Sequence, residues 1–292
     1  MEGVMMRAPH SYCVAVRRPN GEIAVEETPV SRVSEKYPIF KLPVFRGVGT
    51  LGQAMYLGMK ALRFSANVAM EGEGSKGEKP ISNFALVCNI IFSITFFIFL
   101  YKFVPLYVAT WLGHAVPALD GRIALNFVDG VIRLAIFLSF LTLLSRARDI
   151  RRVFEYHGAE HKVVFNFESG QPVTVQNAQR FVTWHPRCGT SFLLVVMVLS
   201  MLVYMVLPFD GFTGRFLARI ALLPVITGLS YELIRFAARR QGSFLAWLTA
   251  PGLWLQRVTT QAPSDAQTEV AIEALDRAMS LERNQGGELV IA

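Results

Sequence analysis

Residues 84–100 form a run of seventeen positions, FALVCNIIFSITFFIFL, in which no side chain carries a charge. After Tyr101 and Lys102 the apolar character resumes as far as Leu112, so the whole stretch exceeds the roughly 20 residues that cross a bilayer as a helix. The composition agrees with this, because 52% of the chain is hydrophobic and only 17% is charged. The run therefore predicts an integral membrane protein and excludes a disordered chain, a collagen-like fibre and a small disulfide scaffold.

Further apolar stretches set the number of predicted spans. Residues 123–144, 190–207 and 216–236 are each long and apolar enough to cross, and Pro224 in the last predicts a kink. Residues 244–256 are too short to cross and, with two tryptophans and a Pro-Gly pair, predict an interfacial or re-entrant segment. We expect a mainly α fold, a polytopic membrane protein with about four transmembrane helices, a small N-terminal cytosolic β-hairpin and amphipathic surface helices.

The positive charges predict the orientation of the chain. Lys and Arg outnumber Asp and Glu by 29 to 22, and they concentrate in the first eighty residues and in residues 145–188. By the positive-inside rule both termini and the central loop face the cytoplasm, in a multi-pass protein of the cytoplasmic (inner) membrane. The same distribution explains the basic charge without nucleic acid, so the bilayer is the expected partner. Three scattered cysteines, Cys13, Cys88 and Cys188, indicate reduced thiols.

These patterns divide the chain into five parts: a cytosolic N-terminal region (1–80), transmembrane helices 1 and 2 (81–145), a cytosolic loop (146–189), transmembrane helices 3 and 4 (190–237), and an interfacial segment with a cytosolic C-terminal helix (238–292). In the first part, Pro19-Asn20-Gly21 separates two alternating stretches, 11–17 and 22–28, and predicts a hairpin. Residues 49–68 predict a helix on the membrane surface, and 71–79 a linker. Ser264 and Gln267 have the spacing of a capping box and predict the start of the last helix.

The cytosolic loop carries the motif that indicates chemistry, His157-Gly-Ala-Glu160-His161. Positions four apart share one face of a helix, so both imidazoles can bind one metal ion, and Glu160 lies beside them as a potential proton acceptor. A second cluster contains His185, Arg187 and Cys188, and the two residues between His185 and Cys188 allow both side chains to reach one ion from a turn. The alternative reading, that the histidines only pack and form hydrogen bonds, leaves the joint occurrence of the two clusters unexplained.

Several longer motifs resemble a known family. They are Glu2-Gly-Val-Met-Met-Arg7, the Arg-Pro-Asn-Gly turn, Phe154-Glu-Tyr-His-Gly-Ala-Glu-His-Lys162, His185-Pro-Arg-Cys-Gly-Thr-Ser-Phe192 and Tyr231-Glu232. Together they resemble the bacterial YqhQ family along nearly the whole chain. The resemblance implies an integral membrane protein of unknown function that is predicted to be a metal-dependent enzyme.

The leading hypothesis is a membrane-embedded hydrolase that uses a metal-activated water at the cytoplasmic surface, with a peptide or lipid as substrate. His157, His161 and His185 would bind the metal, expected to be zinc, with Glu160 relaying protons and Arg187 stabilising an oxyanion. The alternative is a non-catalytic scaffold or assembly factor for a cytosolic protein partner, in which Cys188 closes a four-ligand structural site. A transporter is disfavoured, because intramembrane charges are few and no repeat is found.

Two acidic residues within the apolar segments have alternative roles. Glu232, near the cytoplasmic end of the fourth span, could be a further metal ligand, could orient an imidazole, or could form a local salt bridge. Asp129 and Arg133 are four residues apart in the second span and are expected to form a stabilising pair rather than an ion path.

Overall fold

The computed structural model describes residues 2–72, 83–186, 188–209, 211–239, 250–287 and 289–290. Most of the predicted linker and the first half of the predicted interfacial segment, together with Arg187, lie outside these residues. The remainder is mainly helical with one small sheet. The predicted fold class agrees with this in its helical content, its apolar helices and its N-terminal β structure.

The N-terminal sheet has three antiparallel strands in the order β1 (Gly3–Arg7), β2 (Ser11–Arg17) and β3 (Ile23–Pro29). The predicted hairpin is confirmed as β2 and β3, which are paired from Ser11 opposite Pro29 to Arg17 opposite Ile23. Gly21 in the turn has a φ of 91°, a conformation that glycine adopts at no steric cost. Strand β1, which was not predicted, adds a third strand to the hairpin.

A short helix and a long one follow the sheet. After α1 (Val33–Lys36) and a 3-10 turn (Pro38–Lys41), α2 runs over Phe45–Gly72. One face of α2 packs on the sheet through Leu57, Ala61 and Val68. Its other apolar side chains, among them Met55 and Met59, are exposed. The predicted contact of this exposed face with a membrane surface stays a prediction.

The apolar helices form the second part of the molecule. They are α3 (Asn83–Ile98), which continues through a π-helical segment (Phe99–Phe103) into α4 (Val104–Ala115), then α5 (Arg122–Leu144), α8 (Gly189–Val206), α9 (Phe212–Ala221) and α10 (Leu223–Arg239). Three continuous helices, Cys88–Ala115, Arg122–Leu144 and Gly189–Val206, are long and apolar enough to cross a membrane. The bent pair α9 and α10 would make a fourth span.

The fourth predicted span is broken rather than kinked at its proline. Its two halves meet at 51°, and the break falls at Leu222. Pro224 is the second residue of α10, where a missing N–H leaves no intrahelical hydrogen bond unmade. The proline therefore lies at the start of a new helix and not inside a continuous one.

The remaining helices pack on the sheet and form the main core. They are α6 (Arg148–Glu168), α7 (Val175–Gln179), α11 (Ala250–Thr259) and α12 (Asp265–Asn284). The capping box at Ser264 and Gln267 is confirmed. The predicted apolar face of α12 is fully or nearly fully buried against the sheet and α6, through Val270, Ala271, Ala274, Leu275, Ala278 and Met279. This core fixes α6, which carries the histidine motif.

Candidate metal centre

Helix α6 holds two histidines side by side. His157 and His161 are four residues apart, and their ring centroids are separated by 4.4 Å. The neighbouring side chains Tyr156, Ala159 and Val163 are buried in the core with α12 and the sheet, which fixes the rotation of the helix. The helical prediction for the motif is therefore confirmed, and the two imidazoles share a face as the spacing requires.

Cys188 completes a group of three potential ligands. It is the N-cap residue of α8, and its Sγ lies 3.3 Å from Nε2 of His157. One ligand atom from each of His157, His161 and Cys188 falls within 4.8 Å of the others. His157 and Cys188 are 31 residues apart in the sequence, yet they meet where the start of α8 lies against the middle of α6.

Backbone carbonyls orient both imidazoles. Nδ1 of His157 lies 2.9 Å from the carbonyl oxygen of Thr259, and Nδ1 of His161 lies 2.5 Å from that of Thr183. A carbonyl oxygen can only accept, so each Nδ1 carries a hydrogen, and in the neutral imidazole Nε2 then presents a lone pair. Metal-binding histidines in proteins are held in this way, with the second nitrogen bonded to a carbonyl or carboxylate.

The donor set suits a particular class of ion. Two imidazole nitrogens and one thiolate are the ligands of zinc and of other borderline or soft divalent ions, and they do not suit magnesium or calcium. Three protein ligands would leave a fourth position for water or substrate. The arrangement could therefore hold zinc in an open site.

Close backbone packing supports the centre from behind. A methyl group added at Gly158 would approach the carbonyl oxygen of Gln261 to 2.0 Å, so α6 and the segment after α11 touch at this point. The amide of Gln256 accepts from the N–H of His185 at 2.7 Å and donates to its carbonyl at 2.8 Å. These contacts fix the segment that carries Thr183 and Cys188. Gln256 has no motif around it, and the sequence analysis did not identify it.

His185 lies next to the group of three but has a different partner. Its Nε2 is 3.4 Å from a carboxylate oxygen of Glu168, and its ring centroid is 5.8 Å from that of His161. The side chain is buried and also contacts Phe165. The structure therefore brings Cys188 to the two histidines of α6 and pairs His185 with Glu168. Glu168 was not predicted as a site residue, although it lies seven positions after His161 and so on the same helix face.

Glu160 is half-buried beside His161. Burial raises the pKa of its carboxyl, and the nearby His157 opposes part of that rise. Within the described ranges its carboxylate forms no hydrogen bond and no ion pair, so its oxygens have no competing protein partner there. Arg187, the predicted oxyanion stabiliser, lies outside the described residues.

Glu232 is held elsewhere. Its carboxylate accepts two hydrogen bonds from the guanidinium of Arg46 and one from the N–H of Val44, at 3.4 Å. It therefore ties α10 to the start of α2, and it is absent from the group of three close ligand atoms. The salt bridge observed for Glu232 is a long-range one to Arg46 and not the local pair weighed from the sequence.

Comparison with known proteins gives the family. Residues 42–281 match a family described as a protein of unknown function, DUF1385. The chain is also 34% identical to the uncharacterized protein YqhQ of Bacillus subtilis (strain 168), over 97% of this chain and 91% of that protein. The chain belongs to the DUF1385 family.

The family match contains every residue discussed for the metal centre of this DUF1385 protein. It begins after β3, so the three strands lie outside the matched range. No solved structure matches the chain. The resemblance seen in the sequence is thus confirmed at the level of the family, and the family description names no activity.

Proposed function

We propose that this DUF1385 protein is a membrane-embedded, metal-dependent hydrolase. Its site would lie at the cytoplasmic surface of the inner membrane, with zinc bound by His157, His161 and Cys188. The observation that carries the proposal is the convergence of these three ligand atoms within 4.8 Å, together with the carbonyl contacts that occupy both Nδ1 atoms and leave Nε2 as the ligand atom of each ring. Packing alone does not require a thiol and two imidazole rings to meet.

The proposed chemistry assigns one further role within the chain. When bound, zinc would activate a water molecule for attack on a carbonyl or ester carbon. Glu160 is one residue from His161 and three from His157, and its carboxylate has no hydrogen-bond partner among the described residues. We assign it the role of accepting a proton from the attacking water and passing it to the leaving group. The expected substrate is a peptide or a lipid ester presented at the membrane surface.

Metal content is the first test. Elemental mass spectrometry on detergent-purified protein should find one equivalent of zinc in the wild type. His157→Ala, His161→Ala and Cys188→Ala should each lose it. His114→Ala removes a histidine on α4 outside the cluster, and Glu232→Gln removes the partner of Arg46, so both should keep the metal. A wild type without metal after reconstitution under reducing conditions would contradict the proposal.

Catalysis needs a separate test. Purified protein in detergent micelles would be assayed with a mixed fluorogenic peptide set and with fluorescently labelled phospholipid esters, with and without a zinc chelator. Glu160→Gln should keep its zinc and lose about 100-fold or more of any chelator-sensitive hydrolysis. Unchanged hydrolysis in that variant would reject the role of Glu160, whereas loss of zinc would show that the carboxylate serves the metal site instead.

The second candidate is a metal-stabilised scaffold for a cytosolic protein partner. The neighbouring position of His185 favours it, since the ring lies 5.8 Å from that of His161 and a change of partner from Glu168 would add a fourth ligand. Four protein ligands would close the site and make it structural. In that case His185→Ala should lose zinc and lower the melting temperature, and Glu160→Gln should be silent in cells. In the open-site proposal, His185→Ala keeps zinc.

A further inference from the structure

A second polar cluster lies inside the apolar bundle. The shared helix α8 places it about 18 Å from Cys188, since Ser200 is twelve residues further along at about 1.5 Å each. Its members come from four elements and are between 0 and 9% exposed: Lys102, Asn126, Asp129, Arg133, Ser200, Tyr204 and Arg219. Ionisable groups at such depth in a membrane protein are costly, and they mark functional sites more often than not.

The two arginines of this cluster share one carboxylate. Arg219 donates to Asp129 and to the side-chain oxygen of Asn126, both at 2.7 Å. Arg133 donates to the other oxygen of Asp129 and, through Nη1, to Ser200 at 3.0 Å. The expected pair of Asp129 and Arg133 is therefore present, but a second arginine binds the same carboxylate from α9.

Three cationic side chains surround the ring of Tyr204. The charged groups of Lys102, Arg133 and Arg219 lie 5.4, 5.4 and 5.2 Å from the centroid of its ring. Its hydroxyl donates to the carbonyl oxygen of Arg219 at 3.2 Å and accepts from Lys102 at 3.3 Å. The electron-rich face of the ring attracts all three positive groups, but the ring carries no net charge and cannot neutralise them.

The charges of the cluster do not balance. Three cations meet one carboxylate, that of Asp129, within the part of the chain that the structure describes. Over the same residues, the ammonium of Lys102 has three N–H groups and one acceptor, the neutral hydroxyl of Tyr204. A buried charge without a counter-ion carries a large desolvation cost. An additional negative group beside Lys102 would offset this excess of positive charge.

The backbone is irregular on both sides of the cluster. Lys102 lies in the π-helical segment, where the carbonyl of Tyr101 accepts from Nε of Arg133 at 3.1 Å. Arg219 lies three residues before the break between α9 and α10. Departures from α-helix inside a membrane bundle recur where helices line binding sites for ions. Two such departures meet at this one cluster.

We propose that this cluster binds a small inorganic monoanion of the halide class, held by the ammonium of Lys102 and by the positive field of Arg133 and Arg219. A monoatomic anion fits because it needs no fixed set of directed donors. A phosphate group would need several directed donors, and the two arginines already donate five hydrogen bonds to protein atoms. The site is independent of the metal centre.

Thermal unfolding of the full-length protein in detergent tests the proposal. Sodium chloride would replace sodium gluconate at constant ionic strength, so that screening stays fixed. We expect a saturable rise in the melting temperature of about 2 to 4 °C with chloride and with bromide. Lys102→Met should abolish the rise, and in gluconate it should melt at or above the wild type, because it removes an uncompensated buried charge. Lys102→Arg keeps the charge and should keep the response.

Lys41→Met is the matched control, since Lys41 is exposed on the 3-10 turn before α2. It should respond to chloride as the wild type does. Line broadening of chloride in a nuclear magnetic resonance titration of the wild type gives a second readout that does not depend on unfolding. The proposal would be overturned if chloride changed neither the melting temperature of the wild type nor the line width of the chloride signal. An equal response in Lys102→Met, or a response to inorganic phosphate alone, would also overturn it.

Discussion

Gly158 is the residue on which the geometry of the metal centre depends most directly. A Cβ at this position would come within 2.0 Å of the carbonyl oxygen of Gln261 and 3.3 Å of a methyl of Thr183. Both neighbours belong to segments that orient the histidines, since Thr259 and Thr183 accept from their Nδ1 atoms. Only a residue without a side chain lets α6 approach both segments.

Gly158→Ala should therefore push these segments away from α6. We expect a loss of about 1 to 3 kcal/mol in stability, typical of overpacking, together with reduced zinc content. Melting temperature and elemental analysis on the same preparation measure both effects. Gly58→Ala is the control, because Gly58 lies in α2 with nothing within 4 Å and should be neutral or slightly stabilising. Full zinc content in Gly158→Ala would show that the close contact between Gly158 and Gln261 is not needed for zinc binding.

The ligand group was only partly predictable from the sequence. The spacing of His157 and His161 dictates a shared helix face, and that part follows from α-helix geometry alone. Whether His185 or Cys188 joins them depends on how residues 169–188 fold back over α6. Glu168 in the last turn of α6 binds His185, while the N-cap position of α8 aims Cys188 at His157. Neither fact has a local sequence signal.

At the scale of elements, His10 links the sheet to α1 and α12. It lies in the turn after β1, its Nε2 is 3.1 Å from Glu35 of α1, and its Nδ1 is 3.1 Å from Glu282 of α12. Hydrogen bonds to these two carboxylates raise the pKa of His10, and the bond to His10 lowers the pKa of Glu35. The charged triad therefore ties the sheet to both helices.

The sign of the pH dependence follows from these directions. The contribution of His10 is complete below about 6.5, its value in an unfolded chain, and is lost as the pH rises through the higher folded value. The contribution of Glu35 is complete above about 4.5 and is lost in acid. Between pH 6 and 8.5 the melting temperature should therefore fall more in the wild type than in His10→Gln. His114→Gln, which removes an exposed histidine on α4, should follow the wild type; equal slopes in all three would contradict the prediction.

Elements in which apolar residues recur at a regular spacing could be predicted from the sequence. Elements without such a spacing could not. The face of α12 follows from its helical repeat and from the capping box at Ser264. Strand β1 was missed because Gly3–Arg7 is short and shows no alternation of polar and apolar residues. A kink was predicted at Pro224 and the break lies two residues earlier, at Leu222, because the proline is the second residue of α10 and the preceding turn has no signal of its own.

At the scale of the whole molecule, one core constrains how the chain crosses a membrane. The sheet precedes the first span, α6 lies between the second and the third, and α12 follows the fourth, yet all three share a single buried cluster. If the apolar helices cross a membrane, these three elements would have to lie on the same side of it. Helix α8 would then lead away from that side, and the bent pair α9 and α10 would have to return the chain as a fourth crossing.

The apolar surface of the bundle agrees with insertion. Side chains such as Ile91, Phe92 and Ile94 of the first span are 55 to 70% exposed, an exposure that would be a liability in water and is ordinary against lipid. The positive charge on the sheet and α6 side predicts that this side is the cytoplasmic one. The fold therefore predicts on which side of the membrane each connecting segment lies. The labelling of single introduced cysteines can test this prediction.

We expect Asn20→Cys in the hairpin turn, Gln171→Cys after α6 and Arg283→Cys at the end of α12 to react together with a membrane-impermeant maleimide only in inside-out vesicles. Gly121→Cys before α5 and Thr213→Cys at the start of α9 should react only in intact cells. All five positions are exposed, and the unsubstituted protein gives the background from its own cysteines. If Arg283→Cys reacted from the same side as Gly121→Cys, the bent pair would not cross. The contact between α12 and α6 could then not exist in the membrane, because no folded core can have its helices on opposite faces of a bilayer.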